Sequence, residues 1–330
     1  MATTHGSGCR LPDLGDRVAV VTGASSGVGL EVTRTLVARG VRVFMACRDL
    51  EKADRSREEV SRESPQHRPV VVPLDLASLE SVRECAELLR ASCSAVDLLV
   101  NNAAVMAVDR GSTADGFETQ LGVNYLGHFA LTALLLPQMV GQARMPGQAC
   151  RRIVTTSSNG HRGGRIDLDD LMFARRAYNR WQAYFQSKLA LQLFTYELSR
   201  RLTAMPSGLM ALSAHPGAAR TRLGWDGASV TNTLIRWASY LFPTPARGAV
   251  PTMRALTDPK AKPNDLFGPR LRVVGAPVRE RPSKRARDPV VARLLWERSI
   301  ALTGCDPGLP PVPAQPDPST AGEPLSEPGT

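Results

Sequence analysis

From about residue 15 onward, short apolar runs alternate with longer stretches in which apolar residues recur every three or four positions. The first run, VAVVT at 18–22, is β-branched and unbroken, the mark of a strand buried on both faces. Helical spacing follows over 29–39 through Val32, Leu36 and Val37, and Gly40 stops it. The cycle repeats as strand 41–46, charged surface helix 50–63, strand 70–75, helix 79–89 and strand 96–100, which ends at Asn101-Asn102. A helix, a strand at 153–156, another helix and a strand at 210–213 continue it. The apolar stretch FALTALLL at 129–136 is expected to stop at Pro137, far short of a membrane span.

Strand and helix in alternation imply right-handed crossovers, hence an α/β Rossmann fold: a doubly wound parallel sheet flanked by helices. No break in composition interrupts residues 15–305, which read as a single domain. Residues 1–14 read as a flexible leader. Residues 306–330 hold eight prolines and no aromatic, and read as a disordered tail.

Composition narrows the class. Of 330 residues 43% are hydrophobic but only 5% aromatic, which suits a core of Ala, Val and Leu between sheet and helices. Six scattered cysteines show no CxxC and no paired histidine spacing, so reduced thiols and no metal site are expected. The opening residues lack an apolar signal segment, and a soluble, cytoplasmic protein is expected. The net charge is +10, and 270–293 carries eight basic residues against Glu280 and Asp288. Without interleaved aromatics this segment reads as a solvated face, with an acidic partner or lipid surface as the alternative; nucleic acid is not expected.

The loop after the first strand adds chemistry. TGASSGVG at 22–29 places Gly23, Gly27 and Gly29 where the backbone can take positive φ and approach a pyrophosphate, with a helix N-terminus behind it. The G-x-x-x-G-x-G spacing is wider than the usual dinucleotide fingerprint. The second strand ends ACRD at 46–49. Cys47 stands where an acid would hold the ribose of NAD, and Arg48 suits the 2′-phosphate of NADP, so NADP(H) is favoured over NAD(H). Asp49 then reads as a helix cap, and Asp75 as either an adenine-edge contact or another cap.

At this point the chain resembles the short-chain dehydrogenase/reductase family. The resemblance rests on TGASSGVG at 22–29, NNAA at 101–104, Asn124 in VNYLGHF, Ser157-Ser158, YFQSK at 184–188 and Pro216-Gly217, and it spans about residues 15–305. The details ACRD, NYLGHF and SKLA are similar to the retinol dehydrogenase-like and protochlorophyllide reductase-like branch. The long interval from Ser158 to Tyr184 implies an insertion beside the active site. The resemblance implies catalytic roles for Asn124, Ser158, Tyr184 and Lys188. It implies cofactor contacts from Ser25, Ser26, Val28, Leu76, Asn101 and Ala103, besides the three loop glycines, Arg48 and Asp75. Pro216, Gly217 and Thr221 would join them at the nicotinamide, with Tyr184 and Lys188 on its ribose.

Tyr184 and Lys188 are four residues apart and share a helix face. An adjacent ammonium, together with oxidised nicotinamide, is expected to draw the phenol's pKa down from about 10, making Tyr184 the acid in reduction and the base in oxidation. Ser158 would steady charge on the substrate oxygen, and Asn124 would hold a water linking Lys188 to solvent. His215 reads as a plain loop residue. The apolar segment LIRWASYLF at 234–242 lies in an expected lid over 218–245; it would line an apolar substrate pocket, pack in the core or touch a membrane. The reading is carbonyl–alcohol interconversion on a small apolar molecule, with reduction of a conjugated C=C bond or a non-catalytic NADP(H) scaffold as alternatives. The family likeness also implies pairing through helices near 121–140 and 182–203 into a homodimer or homotetramer, unless a C-terminal extension blocks it.

Overall fold

The computed structural model describes residues 14–140, 151–217 and 244–312. Eight strands form one sheet in the order β3-β2-β1-β4-β5-β6-β7-β8. They are β1 (Val18–Thr22), β2 (Arg42–Cys47), β3 (Val70–Pro73), β4 (Leu98–Asn101), β5 (Arg151–Thr156), β6 (Leu209–Ala214), β7 (Leu266–Pro269) and β8 (Pro277–Glu280). All neighbours pair in parallel except β8, which returns antiparallel along β7 (Gly268 opposite Val278). The expected doubly wound sheet is therefore present, with a closing hairpin that the weak patterns at 266–269 and 277–280 did not announce.

Helices α1 (Gly27–Val37), α2 (Leu50–Glu63) and α7 (Pro245–Thr257) cover one face, where Val28, Leu36, Ala53 and Met253 pack on Val21, Val43 and Val100. On the other face lie α3 (Leu79–Ser92), the short α4 (Thr119–Leu121), α5 (Gly127–Val140) and α6 (Arg180–Thr203), with α8 (Pro289–Thr303) outside them. Fully buried strands such as VAVVT are what two helical layers require.

The helices begin where short polar side chains can accept from free N–H groups. Asp49 Oδ1 accepts from Lys52 N at 2.9 Å, as expected of a cap, and Ser78 Oγ accepts from Ser81 N at 3.2 Å. The ends differ from expectation in one instructive place. Pro137 does not stop its helix: α5 runs through it to Val140. A proline lacks the N–H that would bond the residue four back, and losing one bond in the last turn costs little when the face is buried.

α8 of the same chain packs on α5 and α6. Trp296 packs on Phe129 and Phe194 with centroids 5.3 and 5.9 Å away, and Tyr125 Oη meets Ser299 Oγ at 2.7 Å. The chain beyond continues this cover. Leu309 is buried and its carbonyl accepts from Arg201 Nη1 at 3.1 Å, so residues 306–312 lie against α6 although a free tail was expected from 306. Leu14, placed in the leader by its sequence, is also buried. Among the described residues no helix is long and apolar enough to cross a membrane.

Candidate active site

The order of strands reverses between β1 and β4, and a crevice opens at their carboxyl ends, where such sheets bind ligands. Its volume is about 510 Å³. The loop from β1 to α1 forms one wall. Gly23 and Gly27 have φ of +65° and +58°, and a Cβ on Gly23 would stand 3.0 Å from Ala103. Gly29 serves differently. It does not line the crevice; a Cβ there would stand 2.5 Å from Asn102 Nδ2 and from the Gly23 carbonyl oxygen, so its bareness lets α1 close onto the loop. Ser26 begins α1 in extended backbone without bonding the helix N–H groups, and its hydroxyl instead accepts from Lys52 Nζ at 3.1 Å. The first N–H groups of α1 are thus presented at the crevice mouth, as anion binding requires.

Of the expected cofactor residues, Gly23, Ser25, Ser26, Gly27 and Val28 line the crevice, as do Arg48, Asp75, Leu76, Ala103 and Pro216. Asp75 also closes its own turn, Oδ1 accepting from Ala77 N at 2.9 Å, while Ser78 and not Asp75 caps α3. Asn101 is a correction. It is buried with Nδ2 donating to Thr132 Oγ1 at 3.0 Å on α5, and Asn102 lines the crevice in its place. Successive residues of a strand point to opposite faces, so of two adjacent asparagines only one could turn to the ligand. Lys52 is a second lining cation that the sequence reading missed; its place one helical turn after Asp49 was the available signal. Tyr184, Lys188 and Gly217 lie outside the crevice lining, and Thr221 with the whole 234–242 segment lies outside the described residues.

The catalytic candidates converge behind the far wall. The Tyr184 side chain on α6 lies beside that of Ser158, the second residue after β5. Ser157 turns the other way, its hydroxyl donating to the Lys188 carbonyl at 3.4 Å. Lys188 Nζ donates to the Thr156 carbonyl at 3.1 Å and stands 5.8 Å from the centroid of the Tyr184 ring. Burial pushes the Tyr184 phenol up to about 12, against the pull of Ser158. Burial likewise pulls the Lys188 ammonium down to about 7. Loss of water thus outweighs the pull of Ser158 at the phenol.

Asn124 sits in a π-helical turn, Gly122–Leu126, between α4 and α5. Both its amide hydrogens are engaged, donating to the Val105 carbonyl and to Ser187 Oγ at 2.9 Å, and its Oδ1 accepts from Val105 N at 2.8 Å. Since Val105 lines the crevice, Asn124 ties that wall to α6. Any water it holds must use a remaining oxygen lone pair. The insertion between Ser158 and Tyr184 packs beside this site: Gln186 Nε2 donates to the Leu171 carbonyl at 2.8 Å, and Phe173 is buried.

Fold and site together define a doubly wound protein with a glycine loop on the crevice wall and a Ser–Tyr–Lys cluster behind it. The model of the short chain dehydrogenase family matches residues 17–228, and the chain belongs to this family of oxidoreductases, which use a nicotinamide cofactor. It is similar to retinol dehydrogenase 13 from Homo sapiens, 39% identical over 92% of this chain and 88% of the human protein. Polyprenol dehydrogenase from Mus musculus is 39% identical over 90% of this chain and 87% of its own. The crystal structure of an uncharacterised protein from Mycobacterium paratuberculosis superimposes with a TM-score of 0.74 at 39% identity, covering 91% and 98% of the two chains.

Proposed function

We propose that the protein is an NADP(H)-dependent oxidoreductase that interconverts a carbonyl and an alcohol on an apolar substrate, with Tyr184 carrying the proton. The observation that carries this reading is the grouping of Ser158, Tyr184 and Lys188, with Lys188 at the phenol ring, beside a crevice with a glycine cradle. The bare, positive-φ glycines and the free start of α1 fit a pyrophosphate. Arg48 and Lys52 line the end where the adenosine ribose would lie, and the neighbouring Asp49 is engaged as a cap, which favours a 2′-phosphate over a bare hydroxyl. When bound, the dinucleotide supplies or takes the hydride.

The chain's own residues handle the proton. Tyr184 gives its phenolic proton to the substrate oxygen in reduction and takes it back in oxidation. Ser158 donates to the same oxygen and stabilises its charge. Lys188 stabilises the phenolate from the ring side, and the Asn124 turn holds the wall on which the reacting group rests. The named activities of two relatives, on retinol and on polyprenol, both concern apolar alcohols and support this substrate class.

Titration with NADPH and NADH by fluorescence, followed by turnover of apolar primary alcohols and their aldehydes, tests the proposal. NADPH binding at least about ten-fold tighter than NADH binding, with turnover abolished in Tyr184→Phe, is expected. Equal affinity would remove the cofactor assignment, and turnover surviving in the variant would remove the proton assignment.

A further inference from the structure

Behind Ser158 lies a second polar cluster that the proposed chemistry does not use. His215 follows β6 and is 1% exposed. Its Nδ1 accepts from Gly217 N at 3.2 Å and so carries no proton; Nε2 carries it and donates to Glu280 Oε1 at 2.9 Å. Glu280 belongs to β8, outside the stretch matched by the family model. Its other oxygen faces Arg162 Nη2 at 3.5 Å, and the same nitrogen donates to the Arg281 carbonyl at 3.0 Å. Next to Arg162, His161 donates from Nδ1 to the Ser158 carbonyl at 2.6 Å and accepts at Nε2 from Ser283 N at 3.4 Å.

The backbone makes room for this arrangement. A Cβ on Gly268 of β7 would stand 2.1 Å from His215 Nε2 and 2.3 Å from Glu280 Oε1, so any side chain there would displace the pair. Gly217, at φ +68°, is seated on the β7–β8 turn, where a Cβ would stand 2.3 Å from the Val273 carbonyl oxygen. Burial alone would raise the Glu280 carboxyl, yet His215 and Arg162 hold it below its usual range, so it stays ionised at neutral pH.

We propose that Glu280 and His215 are a positioning pair that fixes the Pro216–Gly217 turn against the crevice and, through Arg162 and His161, holds that turn in register with Ser158. Pro216 lines the crevice and Ser158 lies beside Tyr184, yet the two follow different strands. One carboxylate links both. A glutamine at 280 could still accept from His215, but its amide NH₂ would then face the Arg162 guanidinium, donor against donor. The charge is therefore required, not only the shape. The inference rests on the reading that a dinucleotide occupies the crevice.

The test compares wild type, Glu280→Gln, His215→Asn and the double variant by NADPH dissociation constant, kcat and KM for an apolar alcohol, and hydrogen exchange at the Gly217 amide. Each single variant is expected to weaken NADPH about ten-fold, speed Gly217 exchange and leave the alcohol KM within about two-fold. The double variant should be no weaker than the worse single, as for groups acting through one contact. Unchanged NADPH affinity and exchange in both singles would overturn the proposal, and so would losses that multiply in the double. Arg162→Met removes the link to the Ser158 side alone, and its expected mark is a fall in kcat with NADPH affinity kept; this variant decides the matter should Glu280→Gln not fold. A wild type that binds neither nucleotide would instead remove the cofactor reading, leaving the pair to be judged by Gly217 exchange.

Discussion

Thr22 Oγ1 lies 2.9 Å from His128 Nε2, and this contact joins the start of the glycine loop to the turn that carries Asn124. His128 Nδ1 donates to the Asn124 carbonyl at 2.8 Å, so Nε2 is bare and takes the Thr22 hydroxyl proton. The Thr22 oxygen in turn accepts from the N–H groups of Asn102 and Ala103 at 2.9 and 3.0 Å. One threonine thus aligns β1, the end of β4 and α5.

This buried imidazole makes stability depend on pH. Burial pulls His128 down to about 4 from an ordinary 6.5. Between those values the unfolded chain binds the proton and the folded one does not, so stability falls as pH drops from 6.5 to 4, by about 3 kcal/mol for this group alone. His161, also held near 4 by burial, acts with the same sign. Denaturant melts at pH 7 and 4.5 should show a smaller loss for His128→Asn than for wild type, although the variant starts less stable at pH 7. An equal loss in both would rule out His128 as a source of the slope.

Tyr184→Phe should lower kcat by about 10²–10⁴ while keeping the fold and nucleotide affinity. Because burial sets the phenol near 12, alcohol oxidation by wild type should accelerate as pH rises above neutrality, when more phenolate forms. Steady-state rates from pH 6 to 10 check this; a flat profile for a rate-limiting chemical step would contradict it.

Lys52→Ala and Arg48→Ala should each raise the NADPH dissociation constant about ten-fold, the scale of one lost charge-assisted bond, and barely alter that of NADH. Equal effects on both nucleotides would mean that these cations act on the shared pyrophosphate.

Gly29→Ala introduces a methyl group 2.5 Å from Asn102 Nδ2 and the Gly23 carbonyl oxygen. The loop must shift, and a loss of about 1–3 kcal/mol is expected, read as a lower denaturation midpoint. Weaker nucleotide binding should accompany it, since the same loop forms the crevice wall.

Local pattern carried much of this protein. Unbroken apolar runs, helical spacing and loop glycines depend on neighbours within a few positions, so β1 to β6, their helices and the cradle were readable in order. The four-residue spacing likewise put Tyr184 and Lys188 on one helix face. Tertiary structure decided whatever depended on distant chain segments. Which of Asn101 and Asn102 faces the crevice follows from the way β4 lies under α5. The pKa directions of Tyr184 and Lys188 follow from how deeply α6 is buried. The partner of His215 is supplied by Glu280, 65 residues away on a hairpin whose short strands carry little periodicity of their own. Spacing along a chain fixes which side chains share a face, but only packing fixes how much water reaches them and what meets them from the far side.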